Sequence, residues 1–255
     1  MIDTHAHLNL LSRTDLGLAI EASRQAGLTG IIQVSTDIDS AKEGLRLSQI
    51  YPEVFPTVGI HPLYQDMFGR KDELIPLIEA NRAQIVALGE IGLDYHYDVP
   101  AQLQHPVFIY QMNLARQFNL PVIIHNRKAD EDVKKVLDQY PDLSIVLHCY
   151  SSNIEYLESF NRDNLWVSFT GMICNQDKGK VIRAVERWPL ERMMIETDCP
   201  YMVPKQFAGN ENQPAYVVEV AKRIAMLKGV GIETVIDQTT QNAKQFFGLG
   251  DVGRV

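Results

Sequence analysis

The sequence lacks any run near the roughly 18 unbroken apolar residues that a membrane-spanning helix needs. Asp3, His5 and His7 stand where a signal peptide would carry a basic and then an apolar region. Both absences lead to the expectation of a cytoplasmic protein without membrane contact. Cysteine is scarce: Cys149, Cys174 and Cys199 are scattered with no CxxC spacing, which argues against a secreted disulfide framework and against a cysteine-based zinc knuckle. Positive charge is short as well, since 24 Lys and Arg face 32 Asp and Glu for a net charge of −8, the reverse of the basic footprint of most nucleic-acid binders. A phosphodiester substrate therefore requires a local reversal of sign, which bound divalent cations would supply. No glycine-rich phosphate loop follows the first apolar run, where HAHLN stands instead, and this counts against an open doubly wound sheet. Internal repeats, low-complexity segments and a linker that would mark a second domain are missing too.

What is present is an ordinary globular composition, 45% hydrophobic and 22% charged, with ample material for a large core. Short β-branched or apolar runs recur at residues 2–6, 30–34, 54–59, 85–89, 121–124, 144–147, 165–169 and 192–196. Stretches with helical spacing lie at 14–26, 38–50, 71–82, 101–119, 130–139, 153–160, 177–187, 214–228 and 232–247. Alternation of this kind predicts βαβ units and a parallel sheet. Eight units in 255 residues predict an α/β fold, a TIM-type (β/α)8 barrel, as a single domain over 1–255. Ser12 or Thr14 is the expected cap of the first helix, Asp37 or Asp39 that of the second, and Gly27 the left-handed stop after the first.

Barrel strands should end in apolar residues except where chemistry is done, because the C-terminal strand ends carry the active site. Here those ends are polar: His5 and His7 after the first run, His61 after the third, Glu90 after the fourth, His125 after the fifth, His148 after the sixth, and Glu196 and Asp198 after the eighth. A lone histidine after a strand is more often a hydrogen-bonded loop residue than a ligand. Five of the seven histidines on four strand ends are another matter, since a barrel gathers those ends in one place. His5 and His7, two apart on a strand, lie about 6.6 Å apart on one face and can converge on one ion. Four imidazoles, His5, His7, His125 and His148, with Glu90 and Asp198, make a mixed N/O set suited to zinc, manganese or similar ions. Six donors exceed one tetrahedral zinc, so two divalent ions about 3.5–4 Å apart fit better, with Glu90 as the candidate bridge.

Other residues have two open readings. His61 either hydrogen-bonds a phosphate or protonates a leaving oxygen, or else packs as a loop histidine against Pro62. Glu196 is a further ligand or a partner that orients a histidine, and Asp3 is another such partner. Arg127 and Lys205 are the local cations best placed to meet a phosphate, although exposed loops carry such residues for solubility alone. Tyr95, Tyr97, Tyr150 and Tyr201 either stack on splayed bases or wall the pocket. His96 and His105 read as structural or surface residues.

The segments IDTHAHLN, GIHP, GEIGLDY, LPVIIHNRKA, HCYSS, VSFTG, IETDCPY, NQPAYVVEVAKRIAMLKG and TTQNAKQFF together span nearly the whole chain. As a set they resemble the TatD-type metal-dependent deoxyribonucleases of the amidohydrolase-like barrel superfamily. The resemblance implies a hydrolase with two or more divalent ions, magnesium, manganese or zinc, that cleaves DNA phosphodiesters at single strands or ends, with 3′ to 5′ exonuclease action as one form. It also implies that His5, His7, Glu90 and Asp198 ligate one ion and Glu90, His125 and His148 the other. Asp198 is then the proton-transfer group, with Glu90 and His61 as its catalytic companions. Three departures stand out: the family commonly has a second histidine after HP, phenylalanine and glycine after HC, and a basic segment before NxP. This chain has GIHPLY, HCYSSN and KQFAGNENQP, the last with only Lys205. The rival reading from the residues is a barrel metallohydrolase acting on a C–N, ester or lactone bond, because one metal site activates water for either electrophile.

Overall fold

The computed structural model describes residues 1–160 and 162–250. All eight expected strands form: β1 (Ile2–Ala6), β2 (Gly30–Gln33), β3 (Val54–Val58), β4 (Ala87–Asp94), β5 (Val122–Arg127), β6 (Ile145–Leu147), β7 (Leu165–Phe169) and β8 (Met193–Ile195). They belong to one parallel sheet in chain order, the strand order of a (β/α)8 fold. The helices between and after them are α1 (Leu16–Gln25), α2 (Ile38–Ile50), α3 (Leu74–Asn81), α4 (Ala101–Phe118), α5 (Asp130–Leu137), α6 (Ile154–Glu158), α7 (Lys180–Arg187), α8 (Val217–Lys228) and α9 (Ile232–Phe247).

The chain divides into two compact units. The first contains Met1–Gln33, Cys149–Ser159 and the chain from Val167 onward. Within it β1 pairs with β2 and β7 with β8, in registers such as Ile2↔Gly30 and Phe169↔Ile195. Its core is built by strand residues Ile2, Val167, Phe169 and Met193 with the apolar faces of α8 (Val220, Ile224) and α9 (Val235, Ala243, Phe246). The second contains Val34–His148 and Phe160–Trp166, with β3 to β6 as its parallel strands. There Leu88, Ile91, Ile123 and Ile124 of β4 and β5 and Val107, Phe108 and Met112 of α4 contribute to the core, all at most 3% exposed. Burial of each such side chain contributes about 1.5–3 kcal/mol.

Two boundaries differ from the expectation for a physical reason. β4 continues five residues past Gly89, because Ile91 to Asp94 pair with Ile124 to Arg127 of β5. Glu90 is thus mid-strand rather than at a strand end. This pairing requires glycine at position 92, where φ is +146° and a Cβ would stand 2.0 Å from the His125 carbonyl oxygen. The cap of α1 is Asp15, whose side chain accepts from Leu18 N–H, and not Ser12 or Thr14. Asp37 and Ser40 form a reciprocal capping box on α2, and Gly27 takes the left-handed conformation expected of it. Among the described residues no helix is long and apolar enough to cross a membrane.

Candidate metal centre

In the second unit three imidazoles converge on one carboxylate oxygen. Glu90 Oε1 lies 2.6 Å from His148 Nε2, 2.7 Å from His125 Nδ1 and 3.5 Å from His61 Nε2. His125 Nδ1 is in turn 3.3 Å from both His148 Nε2 and His61 Nε2. Glu90 is 3% exposed. Burial alone would push its carboxyl up, but the facing His148, His61 and His125 outweigh that and hold it well below the ordinary carboxylate range. A buried anion ringed by nitrogen bases is a donor set with strong affinity for a divalent cation.

Hydrogen bonds divide these rings by role. His61 Nδ1 accepts the Leu63 N–H at 3.1 Å, so in the neutral ring the proton sits on Nε2, which faces the cluster as a donor. His125 is arranged the other way round. Its Nε2 meets Asp94 Oδ2 at 3.0 Å and its Nδ1 meets Glu90 Oε1 at 2.7 Å, and since carboxylates can only accept, the protonated ring donates to both; in the neutral ring with its proton held by Asp94 on Nε2, the Nδ1 lone pair faces Glu90 and His148. A carboxylate behind a histidine fixes the tautomer and makes the other nitrogen a better ligand. Burial would lower the pKa of His125; Asp94 and Glu90 overcome it and raise it.

Helix α4 holds this geometry through two amides seven residues apart, hence on one helix face. Gln104 Oε1 accepts the Asp94 N–H at 2.8 Å, while its Nε2 donates to the Asp94 and Val99 carbonyls at 2.8 Å each. Gln111 Oε1 accepts the Ile60 N–H at 2.7 Å, and its Nε2 donates to the Ile60 carbonyl at 2.9 Å. Both glutamines are fully buried. One fixes the carboxylate behind His125 and the other the residue before His61.

The first unit holds a second group. His5 is on β1 and His7 just beyond it, with their Nε2 atoms 3.2 Å apart. Asp198 Oδ1 lies 3.5 Å from His7 Nε2 and 3.8 Å from His5 Nε2. Zinc–nitrogen bonds of about 2.0–2.1 Å place neighbouring tetrahedral ligands about 3.3–3.4 Å apart, so this N/N/O triangle has the spacing of ligands on one ion. Asp198 follows β8 in a left-handed conformation, φ +55°. Its backbone N–H donates to the His5 carbonyl at 2.8 Å. Asp3 accepts the Thr197 N–H at 2.9 Å, the Thr197 hydroxyl at 2.6 Å and the His5 N–H at 3.2 Å. Burial drives the Asp3 carboxyl up to about 8 against those hydrogen bonds. From the far side, the Asn212 amide donates to the Thr197 carbonyl at 2.9 Å and also to the Tyr201 carbonyl.

The family model for TatD related DNase matches residues 2–248. The chain belongs to that family. A Bacillus subtilis (strain 168) protein named uncharacterized metal-dependent hydrolase YabD is 36% identical over 255 residues, covering 98% of this chain and 99% of that one. The 3′-5′ ssDNA/RNA exonuclease TatD of Dickeya dadantii (strain 3937) is 30% identical over 253 residues, covering 94% and 95% of the two chains. Among solved structures, the TatD homolog YJJV of Escherichia coli K12 superposes with a TM-score of 0.92 at 25% identity, covering 98% of each chain. The (β/α)8 class expected from the strand pattern is the fold of this TatD relative.

In this TatD-type chain the six expected ligands fall into the two groups just described: His5, His7 and Asp198 in the first unit, Glu90, His125 and His148 in the second. His61 joins the second as a donor. Glu196 is engaged elsewhere, accepting the Cys149 N–H at 2.6 Å and the Ser168 hydroxyl at 2.5 Å, so it braces the chain after His148. His105 contacts the Tyr95 hydroxyl at 2.8 Å, and His96 lies on the loop after β4. Tyr150 is buried, with its ring edge-on to Phe169, and the Tyr95 hydroxyl is held by Asp132, so both serve packing. Tyr97 and Tyr201 are more than half exposed. Arg127 lies over the Tyr97 ring, and exposed Lys205 donates its backbone N–H to Asn175. Asp94, Gln104, Gln111 and Asn212 escaped the reading of the sequence. The signals were there: an acid four residues after Glu90, and two glutamines at heptad spacing on an otherwise apolar helix face.

Proposed function

We propose that the chain is a divalent-metal-dependent nuclease that hydrolyses phosphodiester bonds of single-stranded nucleic acid in the cytoplasm. The observation that carries the reading is the convergence of His61, His125 and His148 on one oxygen of buried Glu90. Membership in the TatD family and the exonuclease name of the Dickeya relative support the choice of substrate.

His5, His7 and Asp198 would hold one cation, and Glu90, His125 and His148 another, the candidates being zinc, magnesium and manganese. When bound, two such cations lower the pKa of water toward about 7 and neutralise the charge that grows on phosphate oxygens. Asp198 takes the proton from the attacking water as oxygen adds to phosphorus. His61 presents its Nε2–H to the phosphate and hands that proton to the departing oxygen as the ester bond breaks. Asp94 keeps the His125 lone pair aimed at the cluster throughout. Arg127 and Lys205 supply positive charge for neighbouring phosphates. With a net charge of −8, the protein attracts its substrate through these local charges rather than through its surface as a whole.

The decisive experiment is metal analysis of the purified protein alongside turnover of labelled single-stranded DNA and of a simple phosphodiester, with and without chelator. Chelator-sensitive cleavage with close to two metal ions per chain is the expected result. Metal-dependent hydrolysis of an amide, ester or lactone with both phosphodiesters untouched would replace this reading by the rival one.

A further inference from the structure

Tyr97 exposes 51% of its surface on a loop with a fixed backbone. The His96 N–H donates to Asp94 Oδ1 at 2.8 Å, the Val99 N–H to the Tyr97 carbonyl at 2.9 Å, and Gln104 Nε2 to the Val99 carbonyl at 2.8 Å. The ring meets His96 edge-on, with centroids 5.0 Å apart. The Arg127 guanidinium carbon lies 5.2 Å from its centroid, and Arg127 Nη1 is 3.5 Å from its hydroxyl.

Arg127 is two residues beyond His125 on β5, hence on the same face and about 6.6 Å along the strand. Its Cα pairs with that of Asp94, and its carbonyl accepts the Tyr95 N–H at 2.8 Å. Arg46, Arg70, Arg116 and Arg187 are each committed to a carboxylate. Among the described residues Arg127 and the adjacent exposed Lys128 have no such ion pair. Two of the three acids at the start of α5 are engaged elsewhere: Asp130 receives the Asn126 amide, and Asp132 the Tyr95 hydroxyl and Lys135. An uncommitted guanidinium beside a half-exposed ring on a rigid loop, one strand step from the metal-type cluster, has the makings of a nucleotide grip. Aromatic faces stack any base, and the guanidinium fork matches a phosphate.

We propose that Tyr97 and Arg127 form a nucleotide subsite beside the Glu90 cluster, in which the Tyr97 ring stacks an unpaired base and Arg127 takes the adjoining phosphate. This rests on the nuclease reading and sharpens it. A base can reach the ring only out of its helical stack, so the subsite selects single strands over duplexes.

The test uses the metal-loaded protein and a fluorescein-labelled, phosphorothioate-linked oligothymidylate, with an abasic strand of equal length as control, both followed by anisotropy. Tyr97→Ala weakens binding of the base-bearing strand about tenfold, the contribution of one stacked base, and leaves the abasic strand unchanged. Tyr97→Phe keeps the original affinity. Arg127→Ala weakens both strands and lowers the salt slope by about one phosphate contact. The subsite is overturned if Tyr97→Ala binds the base-bearing strand as tightly as the unaltered protein, or weakens both strands equally. Turnover of an ordinary strand by the same preparation reports separately on the nuclease reading: inactivity with intact base-dependent binding removes the nuclease and keeps the subsite.

Discussion

The two donor groups are built on different principles. In the second unit a buried anion is the hub: Glu90 draws in three imidazoles, and each is fixed by a strand, a helix amide or a carboxylate behind it. In the first unit the hub is an imidazole pair at the end of β1, and the carboxylate facing it there, Asp198, sits on a loop after β8 in a left-handed conformation. Its place depends on tethers from distant segments, Asp3 on one side and Asn212 on the other. One group is therefore rigid by virtue of its strands, and the other by virtue of its loop contacts. The contrast predicts unequal responses to mutation.

Glu90→Gln is the harshest way to test this. It removes the charge on which the second group depends, and activity should fall about 10⁴-fold, corresponding to several kcal/mol of lost charge stabilisation. Metal analysis of the variant should show less than one ion per chain at the second group. Asp198→Asn comes next, with turnover down by about 10²–10⁴-fold, the usual contribution of a placed proton-transfer group. Because Asp198 is tethered by its backbone as well as its side chain, Tm should stay within a few degrees, and the second group should keep its ion. Full activity in this variant would end the proton-transfer assignment, and loss of both ions would show that the two groups are not independent.

What could be read in the sequence follows the same division. The eight strands and the histidines at their ends were legible because a short β-branched run followed by His is a local pattern. Glu90 was misplaced by position: that β4 runs on to Asp94 depends on pairing with β5, whose residues are more than thirty positions away. Asp94 was overlooked for the same reason, since its meaning lies in His125, 31 residues on. The α1 cap failed more instructively. Ser12 and Thr14 are sound cap residues by type, but the Glu211 carboxylate, 199 residues from Ser12 and 197 from Thr14, claims their backbone N–H groups and leaves the cap to Asp15. Contacts of that span leave no mark in local spacing.

The supports of the second unit can be tested one at a time. Gln104→Leu keeps the helix face filled but leaves the Asp94 N–H and carbonyl buried without partners, a loss of about 2–4 kcal/mol. At this chain length that lowers Tm by about 5–15 °C. Asp94→Asn should be milder for the fold and specific for the ion, with metal affinity down about 10–100-fold, as expected for the partner of a ligating histidine. A titration of the chelated protein with zinc reads this directly. If Asp94→Asn leaves affinity unchanged, the rigidity of the second group does not come from the carboxylate behind His125.

The smallest effect belongs to the loop tethers of the first unit, and it depends on pH. Glu211 accepts the N–H groups of Ser12, Arg13 and Thr14 at 2.8–3.0 Å and the Ser12 hydroxyl at 3.1 Å. Burial would raise its carboxyl pKa, but these donors outweigh burial and pull it down to about 2, from an ordinary value of 4.5. A lowered carboxylate pKa contributes stability that is fully present above the unfolded value and is lost as pH falls toward the folded one. The Glu211 contribution is therefore intact above pH 4.5 and fades between there and about 2. Glu211→Gln keeps the shape and loses the charge, at a cost of about 1 kcal/mol, or about 2–4 °C in Tm near neutrality. Melting curves of the two proteins should run parallel above pH 5 and converge as the acid limit is approached. If they stay parallel through that window, the charge of Glu211 contributes nothing, and the first unit is held by its backbone pairing alone.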